Sequence, residues 1–261
     1  MYLYAWLFRE AGLLGFFYPA GQLEALRLWQ AHGVKIGVLG ATGPAGSGLA
    51  ARLASIGHAV LVGSRERERS AATVEQMRER WGDQVGGLAP AGNAEAAEKA
   101  DLVVVAVPWE AAARTALEHA GACSGKVVIS MANALRRVDR QFEAVLSPRR
   151  SIAAEVQAAM PEALVAAAFQ HIPASAFGNL GMDIEGDVIV CSDHNKALVD
   201  VCELIASIPS LRPFDGGALR NAMGVEAFAA VLLTVNLRYK VKAGLHLTGI
   251  GPKSGDGREV P

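Results

Sequence analysis

The chain has 261 residues, 51% hydrophobic and 20% charged, with 25 basic against 26 acidic side chains and a formal net charge of −1 at pH 7. That length buries a substantial core in one large domain or two modest ones, and the balanced charge removes the electrostatic case for nucleic acid or an anionic membrane surface. Three cysteines, Cys123, Cys191 and Cys202, lack metal-ligand spacing, and an odd number argues against a disulfide scaffold, so the chain reads as a soluble cytoplasmic protein.

Residues 1–33 begin with the apolar run Met1–Phe8, which Arg9 and Glu10 interrupt before Leu13–Phe17. A spanning helix needs roughly 20 mostly uncharged residues, and a secretory signal carries its positive charge first. The segment fits neither pattern and is read as an N-terminal extension outside the fold. Lys35–Leu39 then reads as a buried strand, with Leu49, Leu53 and Ile56 at helical spacing behind it. Ala59–Val62 is a second strand and Ser70–Trp81 a charged helix. Leu102–Val107 is the clearest strand, followed by a helix over Ala111–His119 and a strand at Val127–Ile129. Apolar strands separated by helices predict a Rossmann-like, doubly wound parallel sheet over residues 34–149. After Arg149-Arg150 the pattern gives a helix at 151–160, an apolar run at 164–169, a loop through Pro173, a strand at 187–191 and a helix at 195–207. A long helix is predicted from Ala218 to Ala243 with Val225, Phe228, Leu232 and Val235 on one face. Residues 150–251 are thus expected to form a smaller C-terminal α/β domain ending in a long helix, and the Gly/Pro-rich residues 252–261 a disordered tail.

The chemistry begins directly after the first strand, at Gly40-Ala41-Thr42-Gly43-Pro44-Ala45-Gly46. Glycines there permit a sharp strand-to-helix turn and let backbone approach a pyrophosphate, while the following helix offers unpaired N–H groups and the positive end of its dipole. A tight turn without a ligand is the competing reading, and the strand–turn–helix setting favours the dinucleotide. An NAD site places an acid about 20 residues on, for the ribose 2′-hydroxyl. Here the second strand runs into Gly63-Ser64-Arg65-Glu66-Arg67-Glu68-Arg69 with no acid at that place. Ser64 can donate to a 2′-phosphate, and Arg65 and Arg69 suit its geometry, so the residues favour NADP(H) over a merely solvated charge run.

No proton-transfer machinery stands out, and no catalytic or metal-ligating residue is assigned. The tyrosines, Tyr2, Tyr4, Tyr18 and Tyr239, have no lysine four residues on, which excludes the short-chain dehydrogenase pair, and the six histidines are scattered. Hydride transfer between two heteroaromatic rings suits such a site, since it needs the carbons held roughly 3–3.5 Å apart and water excluded.

Five segments, in order, resemble one family: Gly40–Gly46; Val62-Gly63-Ser64-Arg65; Val107-Pro108-Trp109-Glu110; His171-Ile172-Pro173-Ala174 with Phe177 and Asn179-Leu180; and Leu211–Gly217. They look like the NADPH-dependent reductases of coenzyme F420, a 5-deazaflavin, and the likeness runs from about Lys35 to Gly251. The resemblance implies that Gly40, Thr42, Gly43, Pro44, Ala45 and Gly46 bind the pyrophosphate. It further implies that Ser64, Arg65 and Arg69 hold the 2′-phosphate, with Pro108 and Trp109 beside the nicotinamide ribose. Trp109 taken alone reads equally as core filler. His171, Ile172 and Pro173 would lie in the loop against which the deazaflavin stacks, although a lone histidine also reads as a structural group. Residues 150–251 would bind the acceptor, and the apolar stripe of the final helix is long enough to pack against a second copy, giving a homodimer, with core burial within one chain the competing reading. This chain departs from the family where Met223 and Ala176 replace arginines and Ala229 a threonine; Arg220, one turn before Met223, is expected to supply the lost charge to the acceptor's phosphate-bearing side chain. Those departures keep open an NADPH-dependent flavin or metal-chelate reductase, and a non-catalytic NADP-binding protein.

Overall fold

The computed structural model describes residues 34–250; the expectations for residues 1–33 and 252–261 lie outside the described residues. Five apolar runs form the centre of one sheet: β1 (Lys35–Leu39), β2 (Ala59–Ser64), β4 (Leu102–Val105), β5 (Val127–Ser130) and β8 (Leu164–Ala167). Ile36, Val38, Val103, Val104, Val128 and Ile129 are fully buried, as parallel strands covered on both faces require. The helices that cover them are α1 (Pro44–Ser55), α2 (Arg67–Trp81), α3 (Asn93–Lys99), α4 (Trp109–Glu118) and α5 (Ile152–Ala159).

Two edge strands and one hairpin are not legible in the sequence. β3 (Leu88–Gly92) and β10 (Leu211–Asp215) are the two edges of the eight-stranded sheet, whose order is β10-β9-β8-β5-β4-β1-β2-β3. Each carries a proline, Pro90 or Pro213, which obscures a strand pattern and which a sheet tolerates at an edge. The third feature, the hairpin β6 (Leu135–Val138) and β7 (Gln141–Ala144), is largely polar and forms a separate two-stranded sheet. Pairing is parallel from β3 to β8, antiparallel between β8 and β9 (Gly186–Ser192), and parallel again to β10. The sheet therefore crosses the expected boundary at residue 150, and Val34–Leu245 form one compact unit. The reversal of strand order falls between β1 and β4, the crevice where such sheets bind ligands.

The remaining helices are α6 (Ala174–Phe177), α7 (Asn195–Ser207) and α8 (Ala222–Tyr239). α7 has the predicted bounds. The long C-terminal helix does not: Leu219–Asn221 form a 3₁₀ turn before it, and Lys240 ends it in the left-handed region at φ 54°. The predicted apolar stripe is also displaced. α8 buries Ala222, Glu226, Ala229, Ala230 and Leu232, while Phe228 is 39% and Val231 54% exposed. Small alanines let the helix lie close to β7, where Thr234 Oγ1 accepts from the Phe142 N–H at 2.9 Å.

Glu226 is buried because it caps another helix. Its carboxylate accepts from the Ile152 and Ala153 N–H groups at 2.8 and 3.1 Å, at the start of α5. Burial pushes its pKa up to about 7, against the lowering effect of those two bonds. A carboxyl that holds its proton more tightly in the fold stabilises the protein most at low pH, and that stability is lost as pH rises toward about 7. Glu203, pushed up to about 7 by burial and the nearby Asp200, adds to the same trend. The urea midpoint should therefore fall between about pH 4.5 and 7, and Glu226→Gln should flatten part of that slope.

Candidate active site

The turn after β1 is shaped by packing. Gly40 has φ +77°, and a Cβ there would lie 2.4 Å from Val107 Cγ1; one at Gly46 would lie 2.9 Å from Ala41 Cα. At Gly43 a Cβ would meet nothing nearer than the Gly40 carbonyl at 3.9 Å, so this glycine faces free space, as the approach of a pyrophosphate requires. Pro44 opens α1, whose first turn holds no acid and whose N-cap, Gly43, provides no side-chain cap. The N–H groups and dipole of that turn remain available to an anion. Two bonds pin the turn: Gly40 N–H donates to Asn93 Oδ1 at 3.2 Å, and Ala41 N–H to the Gly63 carbonyl at 2.9 Å. Asn93 was missed by the sequence reading because it matters only once β3 and α3 are in place.

At the end of β2, Ser64 is buried, and its Oγ accepts from the Glu66 N–H at 3.3 Å. Among the neighbouring arginines, Arg67 pairs with Glu95, which also holds Lys99 at 2.9 Å. Arg65 and Arg69 are exposed and make no ion pair among the described residues. Pro108 caps α4, and Trp109, its first residue, packs half-buried against the main core cluster.

The loop after β8 reaches the same edge of the sheet. His171 is buried, and its Nε2–H donates to the Asp187 carbonyl at 2.7 Å, the ring lying in an apolar setting that lowers its pKa through burial. Asp187, itself fully buried, holds Arg212 through two oxygens at 2.6 and 2.8 Å. Ile172 is buried as well, so both side chains face inward, and Pro173 caps α6. Behind the loop, Ser130 Oγ, Asn133 Oδ1, both amide atoms of Gln170 and His171 Nδ1 are buried without a partner, while Asn133 Nδ2 donates to the Gln170 carbonyl at 2.6 Å. Unpartnered buried groups are uncommon, and these collect where β5 and β8 end. Gln170 and Asn133 carried no motif and were not foreseen.

Arg220 does not join them. It stands on the 3₁₀ turn beyond β10, where Ser192 N–H donates to the Gly217 carbonyl and Leu219 N–H to Asp193 Oδ1, each at 3.0 Å. Ser192 pairs with Ala166 and its Oγ donates to the Val165 carbonyl at 2.7 Å, which ties the turn to β8. The expectation that Arg220 serves the acceptor took the 3₁₀ turn and α8 for one helix. That turn separates Arg220 from the helix that carries Met223.

The two sides of the site meet on α1. A Cβ at Gly48 would lie 2.8 Å from the Gly178 nitrogen and 3.0 Å from Phe177 Cβ, so only glycine lets α1 and α6 approach this closely. One turn on, the buried Arg52 donates from Nη2 to the carbonyls of Ala176, Asn179 and Met182 at 3.3, 2.6 and 3.0 Å. Phe169, at φ +69°, sets its ring edge-on to Phe177 with centroids 5.6 Å apart, closing the loop from within.

This edge can bind a phosphorylated dinucleotide and set a second ring beside it, the working arrangement of a nicotinamide-dependent oxidoreductase. Residues 35–134 match the family described as NADP oxidoreductase, coenzyme F420-dependent. The chain is 34% identical over 230 residues to the F420-dependent NADP reductase of Methanothermobacter marburgensis, covering 83% of this chain and 99% of that one. It is 28% identical over 222 residues to the enzyme of that name from Methanocaldococcus jannaschii, with the same coverage of 83% and 99%. A solved structure from Arthrobacter sp. FB24, assigned as an F420-dependent NADP reductase, superposes with a TM-score of 0.70 at 26% identity over 83% of this chain and 100% of its own. The chain belongs to the F420-dependent NADP reductase family.

Arg52→Met keeps the length of the side chain and removes the donor from three carbonyls. It should cost about 1–3 kcal/mol of stability and speed proteolytic cleavage within residues 174–182, read by mass spectrometry, while NADPH affinity stays near wild type.

Proposed function

We propose that the protein passes hydride between NADP(H) and coenzyme F420, held ring to ring over the C-terminal ends of β1, β4, β5 and β8. The observation that carries this reading is kinship with reductases of that name along nearly their whole length. The rings supply the redox chemistry when bound; the chain holds, orients and shields them. In this reading the loop from Gly40 to Gly46, through Thr42, Gly43, Pro44 and Ala45, takes the pyrophosphate on backbone N–H groups and the α1 dipole. Ser64, Arg65 and Arg69 take the 2′-phosphate, supported by the freedom of both guanidinium groups. Pro108 and Trp109 wall the nicotinamide ribose. The loop at His171, Ile172 and Pro173 offers its backbone and proline face to the acceptor, since the other two side chains are turned into the protein. No side chain is given a proton to move.

A second reading has one observation in its favour: Met223, Ala229 and Ala176 remove polar or charged groups that an anionic acceptor tail would use, which suits a free flavin. Deazaflavin and FMN, offered separately with NADPH, distinguish the two by loss of visible absorbance. Arg65→Glu should raise KM for NADPH roughly ten- to hundredfold and leave KM for the deazaflavin unchanged; equal effects on both would refute the assignment.

We also read the protein as a cytoplasmic homodimer. All three thiols are free, and burial raises each pKa, that of Cys191 to about 11 and Cys202 to about 12, as suits inert cysteines in a reducing compartment. Leu219–Tyr239 is long and apolar enough to cross a membrane by length and composition, yet Glu226 and Thr234 are both engaged within the protein. Its exposed Phe228 and Val231 then suit the same surface of a second copy. Sedimentation at micromolar concentration should show a dimer that Phe228→Glu dissociates; a monomeric wild type would end this reading.

A further inference from the structure

With Met223, Ala176 and Ala229 in place of the family's polar groups, fewer charges are on hand for an anionic acceptor tail. A pocket of about 380 Å³ lies beside the site, bordered by Pro44 and Ser47 of α1, by Ser175 and Asn179 around α6, and by Arg80 and Lys242. No carboxylate lines it. One wall is the first turn of the helix that receives the nucleotide; the other begins with Ala174, directly after Pro173.

Both cations are carried on fixed backbone. Arg80 lies in the last turn of α2 with its guanidinium 4.7 Å from the centre of the Trp81 ring. Lys242 follows the left-handed end of α8 on a segment that Asn236 holds, accepting from the Ala243 N–H at 2.6 Å and donating to its carbonyl at 3.3 Å. Neither cation makes an ion pair among the described residues. Hydroxyl, amide and two positive groups without an opposing acid are the chemistry of a site for a phosphate-bearing chain. We propose that this pocket takes the anionic side chain of the deazaflavin, with Arg80 and Lys242 replacing the charge that Met223 and Ala176 do not supply. The inference rests on the acceptor assigned above and adds where its tail is held.

The test compares coenzyme F420 with the same deazaflavin ring on a ribityl chain lacking the phosphate, using wild type, Arg80→Gln, Lys242→Gln and the double variant. Both residues are exposed, so the fold should persist, and an unchanged circular dichroism spectrum checks it. KM for coenzyme F420 should rise about three- to tenfold for each substitution. KM for the tailless ring and for NADPH should not move. Added salt should raise the wild-type KM for coenzyme F420 and have little effect in the double variant. Equal effects on the two deazaflavins, a shift in KM for NADPH instead, or no shift at all would overturn the assignment of the pocket. Wild type that reduces both deazaflavins with the same KM would overturn the pocket alone; wild type that reduces neither would overturn the proposed function with it.

Discussion

The contact between α1 and the segment from Ala174 to Met182 holds the site together. Gly48 allows the approach, and Arg52 secures it by donating to three carbonyls that would otherwise lie against an apolar helix. A buried guanidinium is costly to desolvate, and burial lowers the Arg52 pKa even with Asp183 nearby. Its donors are used on backbone rather than on a carboxylate, so the bond fixes geometry without neutralising charge. The helix proposed to receive the nucleotide is thereby tied to the loop proposed to receive the acceptor. That rigidity suits direct ring-to-ring transfer, where small misplacements of the two carbons are expensive.

Charge is distributed with the same economy. Arg67, Lys99, Arg136, Arg149, Lys196 and Arg212 are paired with acids. The cations near the proposed ligands, Arg65, Arg69, Arg80 and Lys242, are not. Paired surface cations add little to stability and nothing to binding; unpaired ones on ordered backbone keep their full attraction for phosphate. Asp187 shows the opposite use. Fully buried, it is held by Arg212 and offers its carbonyl to His171, and so anchors the loop.

From the linear order alone one can read the phosphate turn, the free arginines after β2, the central strands and the preference for NADP. Each depends on neighbours a few residues apart: a strand must end, glycines must follow, a helix must begin, and Ser64 stands where an acid would exclude a second phosphate. The edge strands were hidden by their prolines, and the buried face of α8 by a distant cap that decides burial there rather than hydropathy. Only the folded chain decides that Arg220 falls on a separate 3₁₀ turn, that His171 and Ile172 turn inward, and that Arg80 and Lys242 border one pocket. The reason is distance along the chain. Arg52 meets carbonyls 124 to 130 residues away, and Glu226 meets N–H groups more than 70 residues away. Such partners have no spacing to recognise until the sheet order brings them together.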